Sequence, residues 1–162
     1  MSRYMGTVRY TGTVTSPHPP ADIWRYLADL RSIAEWDPSV KEIRLVSGEP
    51  GVSGTRYELE VGVLGRRLTL PYLTVAAKSP TTVVFTAESD GVQVRDEARI
   101  RPIIAGGSSV TWGAELRLRG ARQILDPLIQ LAFNRLGGRA EQGLRERLNE
   151  PVVPRVVEEI AA

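Results

Sequence analysis

Apolar and polar residues alternate from Thr7 to Thr15, with Val8, Tyr10, Gly12 and Val14 on one side and Thr7, Arg9, Thr11 and Thr13 on the other. This is the period-2 signature of a strand with one buried face. The run Ser16-Pro17-His18-Pro19-Pro20 ends the strand, and Pro20 suits the first turn of a helix, where a backbone N–H is not needed. Ile23, Trp24, Leu27 and Leu30 then recur at helical spacing. Ser32 to Trp36 predicts a second short helix that must stop before Pro38, because proline disfavours helical geometry in Asp37. Strands follow at Val40 to Ser47, Gly54 to Val61, Arg66 to Lys78, Thr82 to Glu88, Val92 to Ile104 and Ser108 to Arg119. The links between them, such as Ser89-Asp90-Gly91 and Gly106-Gly107, are short and turn-like, which predicts an antiparallel meander.

After Gly120 the apolar period becomes 3.6 and holds to about Asn149, a helix of about 40 Å at the usual rise per residue. Leu125, Leu128, Ile129, Ala132, Leu136, Ala140 and Gly143 share its apolar face, and Ile124 and Leu131 widen that face in the first half. Pro127 and the pair Gly137-Gly138 predict kinks or soft points. Pro151 and Pro154 break the pattern, so residues 1–150 read as one domain and 151–162 as a tail that forms at most a short helix. The element order predicts an α+β fold, in which a curved seven-stranded antiparallel sheet surrounds the long C-terminal helix and two short helices follow the first strand.

A chain of 162 residues, 42% hydrophobic and 25% charged, is long enough to bury a core with space left for a cavity. It contains no cysteine, which excludes a disulfide framework, a thiolate metal site and a thiol nucleophile. One histidine leaves no recognisable metal-ligand spacing, so neither a metal nor another cofactor is expected. The net charge is +2, basic and acidic residues are interleaved, as in Arg95-Asp96-Glu97, and aromatics amount to 6%. These features offer neither a stacking platform nor a single-sign stripe, and nucleic acid is not an expected partner. The stretch MSRYMGTVRY lacks the pattern of a secretory signal, and no apolar run approaches the roughly 20 residues that span a bilayer. The expectation is a cytoplasmic protein without integral membrane association. Its excess of Arg over Lys fits a GC-rich bacterial source.

One local stretch is more specific. Ser16-Pro17-x-x-Pro20-x-x-Ile23-Trp24-x-x-Leu27-x-Asp29, followed by Glu35-Trp36-Asp37-Pro38-Ser39-Val40, resembles the polyketide cyclase/dehydrase and lipid-transport family of the START and Bet v 1-like superfamily. The resemblance runs from about Thr7 to Asn149. It implies a helix-grip fold with a cavity between sheet and helix, and binding or transport of a small hydrophobic ligand that is lipid-, polyketide- or isoprenoid-like. The same architecture serves carriers and cyclases, so the fold does not decide the chemistry.

Alternation places Tyr57, Leu59, Leu68, Leu70, Tyr72, Phe85, Val94, Asp96, Ala98, Trp112 and Ala114 on the concave side, faced by Leu128, Ala132 and Leu136 of the helix. These residues either fill a solid core or line a pocket, and the resemblance favours the pocket. Apolar walls with a few phenol and indole groups suit a greasy ligand carrying one or two polar atoms. Asp96 is in register with the apolar set, whereas Gln93, Arg95, Glu97, Arg99 and Arg101 belong to the wet face. A buried carboxylate has a raised pKa unless paired, and it serves as an acid, a base or a polar anchor. The alternatives are a β-bulge that turns Asp96 outward, or a structural pair with an arginine.

Other candidates read more simply. His18 is expected to be exposed, with no acid or nucleophile near it in sequence. Trp24 and Trp36 pack the short helices onto the sheet, and the Trp112 indole N–H needs a partner, either a ligand or Tyr72. Asn134 and Arg135 reach either the pocket rim or solvent. Arg95, Arg99, Arg101, Arg117 and Arg119 alternate with Glu97 and Glu115 as cross-strand ion pairs on a solvated face. Three functions follow. One is a carrier. Another is a cyclase/dehydrase-type enzyme in which Asp96, assisted by Tyr57 or Tyr72, moves protons. The third is an interaction module, including a possible homodimer, through Ile124 to Phe133. A proton-transfer enzyme should bury more than one acid or base, and only Asp96 is nominated.

Overall fold

The computed structural model describes residues 7–63, 65–89, 91–119 and 127–156. Within them the chain forms β1 (Thr7–Ser16), α1 (Pro20–Leu27), a 3-10 turn (Leu30–Ser32), α2 (Ile33–Trp36), β2 (Val40–Ser47) and β3 (Arg56–Val63). It continues with β4 (Arg66–Lys78), β5 (Thr82–Ser89), β6 (Val92–Pro102), β7 (Ser108–Leu118) and α3 (Pro127–Leu148). The seven strands make one antiparallel sheet in the order β1-β7-β6-β5-β4-β3-β2. Register shifts in the β2–β3 pair and between Thr74 and Ala76 mark bulges, which bend strands and increase their twist. This is the helix-grip arrangement the pattern predicts.

Element boundaries moved for local reasons. β3 begins at Arg56 because Gly54, at φ 93°, is still turning the chain. β6 ends at Pro102, and the Ile103 amide already closes the following turn by bonding the Gly107 carbonyl at 3.0 Å. The second short helix divides in two. Asp29 caps the 3-10 turn by accepting from the Arg31 amide at 3.1 Å, and α2 then stops at Asp37, whose backbone is extended as proline requires of its predecessor.

The long helix docks by its second half. Gly137, Ala140, Leu144 and Leu148 are buried, and a Cβ at Gly137 would overlap the Tyr10 ring. A Cβ at Gly143 would overlap the Trp36 carbonyl, so the absence of a side chain sets how closely α3 meets the α2 corner. The helix continues through Gly137-Gly138, and Gly137 is a contact point where a soft point was expected. Its last turn is tied down on two sides. Ser16 Oγ donates to the Leu148 carbonyl at 2.6 Å, and Asn149 Nδ2 donates to the Thr15 carbonyl at 2.9 Å. Arg147 bridges Glu35 at 3.1 Å and Glu150 at 3.0 Å.

The predicted inward face of α3 is therefore corrected. Leu128 is 68% exposed, and Ala132 and Leu136 are half-buried, because the helix turns its small residues toward β1. The part of the predicted helix at 121–126, with Ile124 and Leu125, lies outside the described residues, as does the tail from 157. His18 is also corrected. It is 8% exposed, its Nε2 lies 2.7 Å from the Glu150 carbonyl, and Ser108 Oγ donates to its backbone carbonyl at 2.7 Å. On the outer face, several ion pairs run along a strand where cross-strand pairs were predicted. Arg95 and Arg99 both meet Glu97, and Arg117 meets Glu115 at 2.7 Å, while Arg9 reaches Glu115 from β1 at 2.9 Å.

Candidate functional site

The ladder register of β5, β6 and β7 runs unbroken through Asp96, which pairs with Phe85 on one side and Ala114 on the other. No bulge turns the side chain outward, and Asp96 is 6% exposed on the concave face. Its partner is a phenol, not an arginine. Tyr72 on β4 donates to Asp96 Oδ2 at 3.1 Å. Burial pushes the Asp96 carboxyl up to about 7, with the Tyr72 hydrogen bond pulling it down and the negative charge of Asp37 adding to the rise. The Tyr72 phenol is held well above its ordinary range by its own burial and then by the Asp96 charge.

Asp37 was missed in the sequence, where the Trp36-Asp37-Pro38 corner reads as packing. The corner brings it within electrostatic reach of both Asp96 and Tyr72. Burial raises its pKa, opposed by Ser39, whose amide and hydroxyl donate to Asp37 Oδ1 at 2.9 and 2.7 Å. Beside it, Trp36 packs edge-on against Trp112 with ring centroids 5.3 Å apart, and Trp112 also meets Tyr10 at 6.0 Å. The Trp36 indole N–H and the Thr74 hydroxyl are buried without a hydrogen-bond partner. Tyr57, nominated as an assistant to Asp96, instead lies in the field of Asp29 and Arg31 beside the Leu30 backbone, and its hydroxyl makes no hydrogen bond of normal geometry.

The predicted lining divides along the strands. Toward the end where β1 and β7 meet at Ser16 and Ser108, Ala98, Ile100, Val110 and Trp112 are buried under α1, α2 and the second half of α3. Tyr57, Leu59, Leu70, Tyr72 and Phe85 are buried as well. Toward the end marked by Val92 and Leu118, burial falls away. Val61, Val92, Val94, Ala114 and Leu116 are half-buried, and Leu68 is 41% exposed. Leu68 and Leu128 thus depart from the inward placement expected of them, because each sits near one end of its element, where no described element covers it. Asp96 lies between the closed end and this open one.

A separate cleft of about 320 Å³ runs between the Trp36–Val40 corner and α3, with Trp36 and Asp37 in its wall. Exposed Arg139, Gln142 and Glu146 line its outer side, so it opens to solvent. Asn134 is exposed and accepts from Gln130 at 2.7 Å, and Arg135 is exposed too. Among the described residues no group of His, Cys, Asp and Glu is arranged to hold a metal, and no helix is long and apolar enough to cross a membrane.

A seven-stranded sheet closed on a C-terminal helix, with an acid buried on its concave face, defines a helix-grip protein of the Bet v 1 and START kind. The chain belongs to the polyketide cyclase / dehydrase and lipid transport family, whose model matches residues 7–157. No curated protein matches the sequence. Among solved structures, TTHA0849 from Thermus thermophilus is similar at a TM-score of 0.69 and 18% identity, over 88% of this chain and 96% of that one. A START superfamily protein from Mycobacterium smegmatis is similar at 0.66 and 14% identity, over 88% and 96%. The di-domain ARO/CYC protein BexL of the BE-7585A biosynthetic pathway is similar at 0.68 and 12% identity, over 93% of this chain and 52% of its own length. At such identities the likeness is one of fold. Membership in the family fits binding of a small hydrophobic molecule in general.

Proposed function

We propose that this chain binds and carries a small hydrophobic molecule, of lipid, polyketide or isoprenoid type, between the concave face of the sheet and α3. The observation that carries the reading is the gradient of burial along that face, where a half-buried apolar wall of Val61, Val92, Val94 and Leu116 leads to the buried Asp96–Tyr72 pair. An apolar wall ending in one polar anchor suits a ligand that is mostly hydrocarbon with a polar atom at its inner end. Native mass spectrometry of freshly purified protein, followed by extraction of any bound molecule, tests this directly. Absence of a co-purifying ligand, together with no thermal stabilisation by a broad lipid and polyketide panel, removes the carrier reading.

A specific observation supports a second reading, a cyclase- or dehydrase-type enzyme. Proton transfer needs both a donor and an acceptor, and Asp37 supplies a second carboxyl within electrostatic reach of Asp96, which titrates near neutrality. In this reading Asp96→Asn abolishes turnover and leaves ligand binding largely intact. Unchanged turnover in that variant removes Asp96 from the chemistry.

A further inference from the structure

If the concave face is the ligand site, its polar groups also determine which ligands it admits. Tyr72 donates to Asp96 Oδ2, and among the described residues no hydrogen bond reaches Oδ1. The charged or titratable groups facing Asp96 are Tyr72 from β4 and Asp37 from the α2–β2 corner, while Phe85 on β5 and Ala114 on β7 flank it without charge. On α3 the buried positions are Gly137, Ala140, Leu144 and Leu148, and Glu141 is bound to Tyr10 and Arg145. None of the groups facing Asp96 is basic; exposed Arg139 of α3 lines the outer side of the cleft that holds Asp37.

A buried carboxylate without a counter-ion is costly, so this environment favours Asp96 as the neutral acid, whose O–H can be donated. A second donor is present. Trp36, 6% exposed, keeps an indole N–H without an acceptor, and its ring packs against Trp112 of β7, which pairs with Ala98 of β6 one inward position from the Asp96–Ala114 pair. These two donors, like the unpartnered Thr74 hydroxyl in the same cross-strand row, call for an accepting atom on the ligand. A second acid within reach opposes any negative charge brought to the same place.

We propose that the site selects uncharged molecules whose buried end is a carbonyl oxygen, with the Asp96 carboxyl and the Trp36 N–H as its hydrogen-bond donors, and that Asp37 and Asp96 together exclude carboxylate and phosphate headgroups. The selection is therefore by charge, and the acid acts as a donor.

The test titrates the full chain with an alkyl methyl ketone, the fatty acid and the alkylamine of equal chain length, each in competition with one neutral fluorescent probe. At pH 6 the ketone binds about tenfold or more tighter than the fatty acid. Its affinity falls about tenfold from pH 6 to pH 8, as Asp96 gives up its proton. Asp96→Asn, whose amide still donates, retains ketone binding at pH 6 and abolishes the pH dependence, whereas Asp96→Leu weakens the ketone about three- to tenfold. Asp37→Asn improves binding of the fatty acid. Equal binding of ketone and fatty acid, tightest binding of the amine, or loss of ketone binding in Asp96→Asn overturns the proposal while leaving the ligand site in place. Binding of none of the three overturns the ligand site as well. Should Asp96→Leu fail to fold, the Asp96→Asn titration across the same pH range decides alone.

Discussion

The two ends of the concave face are built from the same alternating strands, yet they differ in what meets them. At the closed end Ile100, Val110 and Trp112 are covered by α1, α2 and a helix segment whose small residues allow close approach, and fully buried Leu144 and Leu148 complete the packing. At the open end Val94, Leu116 and Val61 have the same chemistry and the same register, but remain half-buried opposite a helix segment that keeps Leu128 and Leu131 in solvent. Hydrophobicity alone therefore does not make a core. A strand face becomes core where a partner element can approach to contact distance, and remains a wall where it cannot.

This contrast is open to direct tests in denaturation experiments. Leu144→Ala at the closed end should lose about 4 kcal/mol, the range for a fully buried leucine, whereas Leu128→Ala should lose under about 0.5 kcal/mol. Equal losses would mean the helix is gripped along its whole length. Gly137→Val drives a side chain into the Tyr10 ring and should lose about 3 kcal/mol, while Gly138→Ala, with nothing within 4 Å, should gain about 0.5 kcal/mol from helix propensity. Asp96 tests the border between the ends. Its folded pKa, about 7, lies above the unfolded aspartate value, so the native state binds the extra proton and stability falls as pH rises between them. Urea titrations should show roughly 2 to 3 kcal/mol of stability lost from pH 5 to pH 8, and a much flatter profile in Asp96→Asn. Leu68→Ser should cost about 1 kcal/mol or less in urea unfolding, between the two helix leucines, because its side chain is already 41% exposed.

Much of the fold was legible because turn chemistry and period-2 alternation are local. β2 and β4 begin and end where the pattern places them, and Asp96 faces inward because alternation carries it there. The division of the concave face was not legible, since alternation says which side a residue takes but not what covers that side. The docking face of α3 was legible in part: Ala140 is buried and Gly143 meets the α2 corner as its apolar face predicts, whereas Leu128 stays exposed and Leu136 half-buried because the helix is gripped in its second half. The informative signal was the spacing of Gly137, Ala140, Gly143 and Leu144, small residues that permit contact with a neighbour. Asp37 had a weaker signal: an acid held extended between a tryptophan and a proline has its direction set by the corner. His18 had none, because its carbonyl partner at Glu150 comes from the far end of the chain.

The tethering of the last turn of α3 to β1, Glu35 and Glu150 has an evolutionary consequence. The densest packing lies where the helix is clamped, so substitutions at Val61, Leu68, Val94 or Leu116 reshape the half-buried end of the concave face while drawing little on what holds the molecule together. A chain arranged in this way can change one wall residue at a time, its mutational tolerance concentrated at the open end of the concave face and its intolerance concentrated at the opposite end.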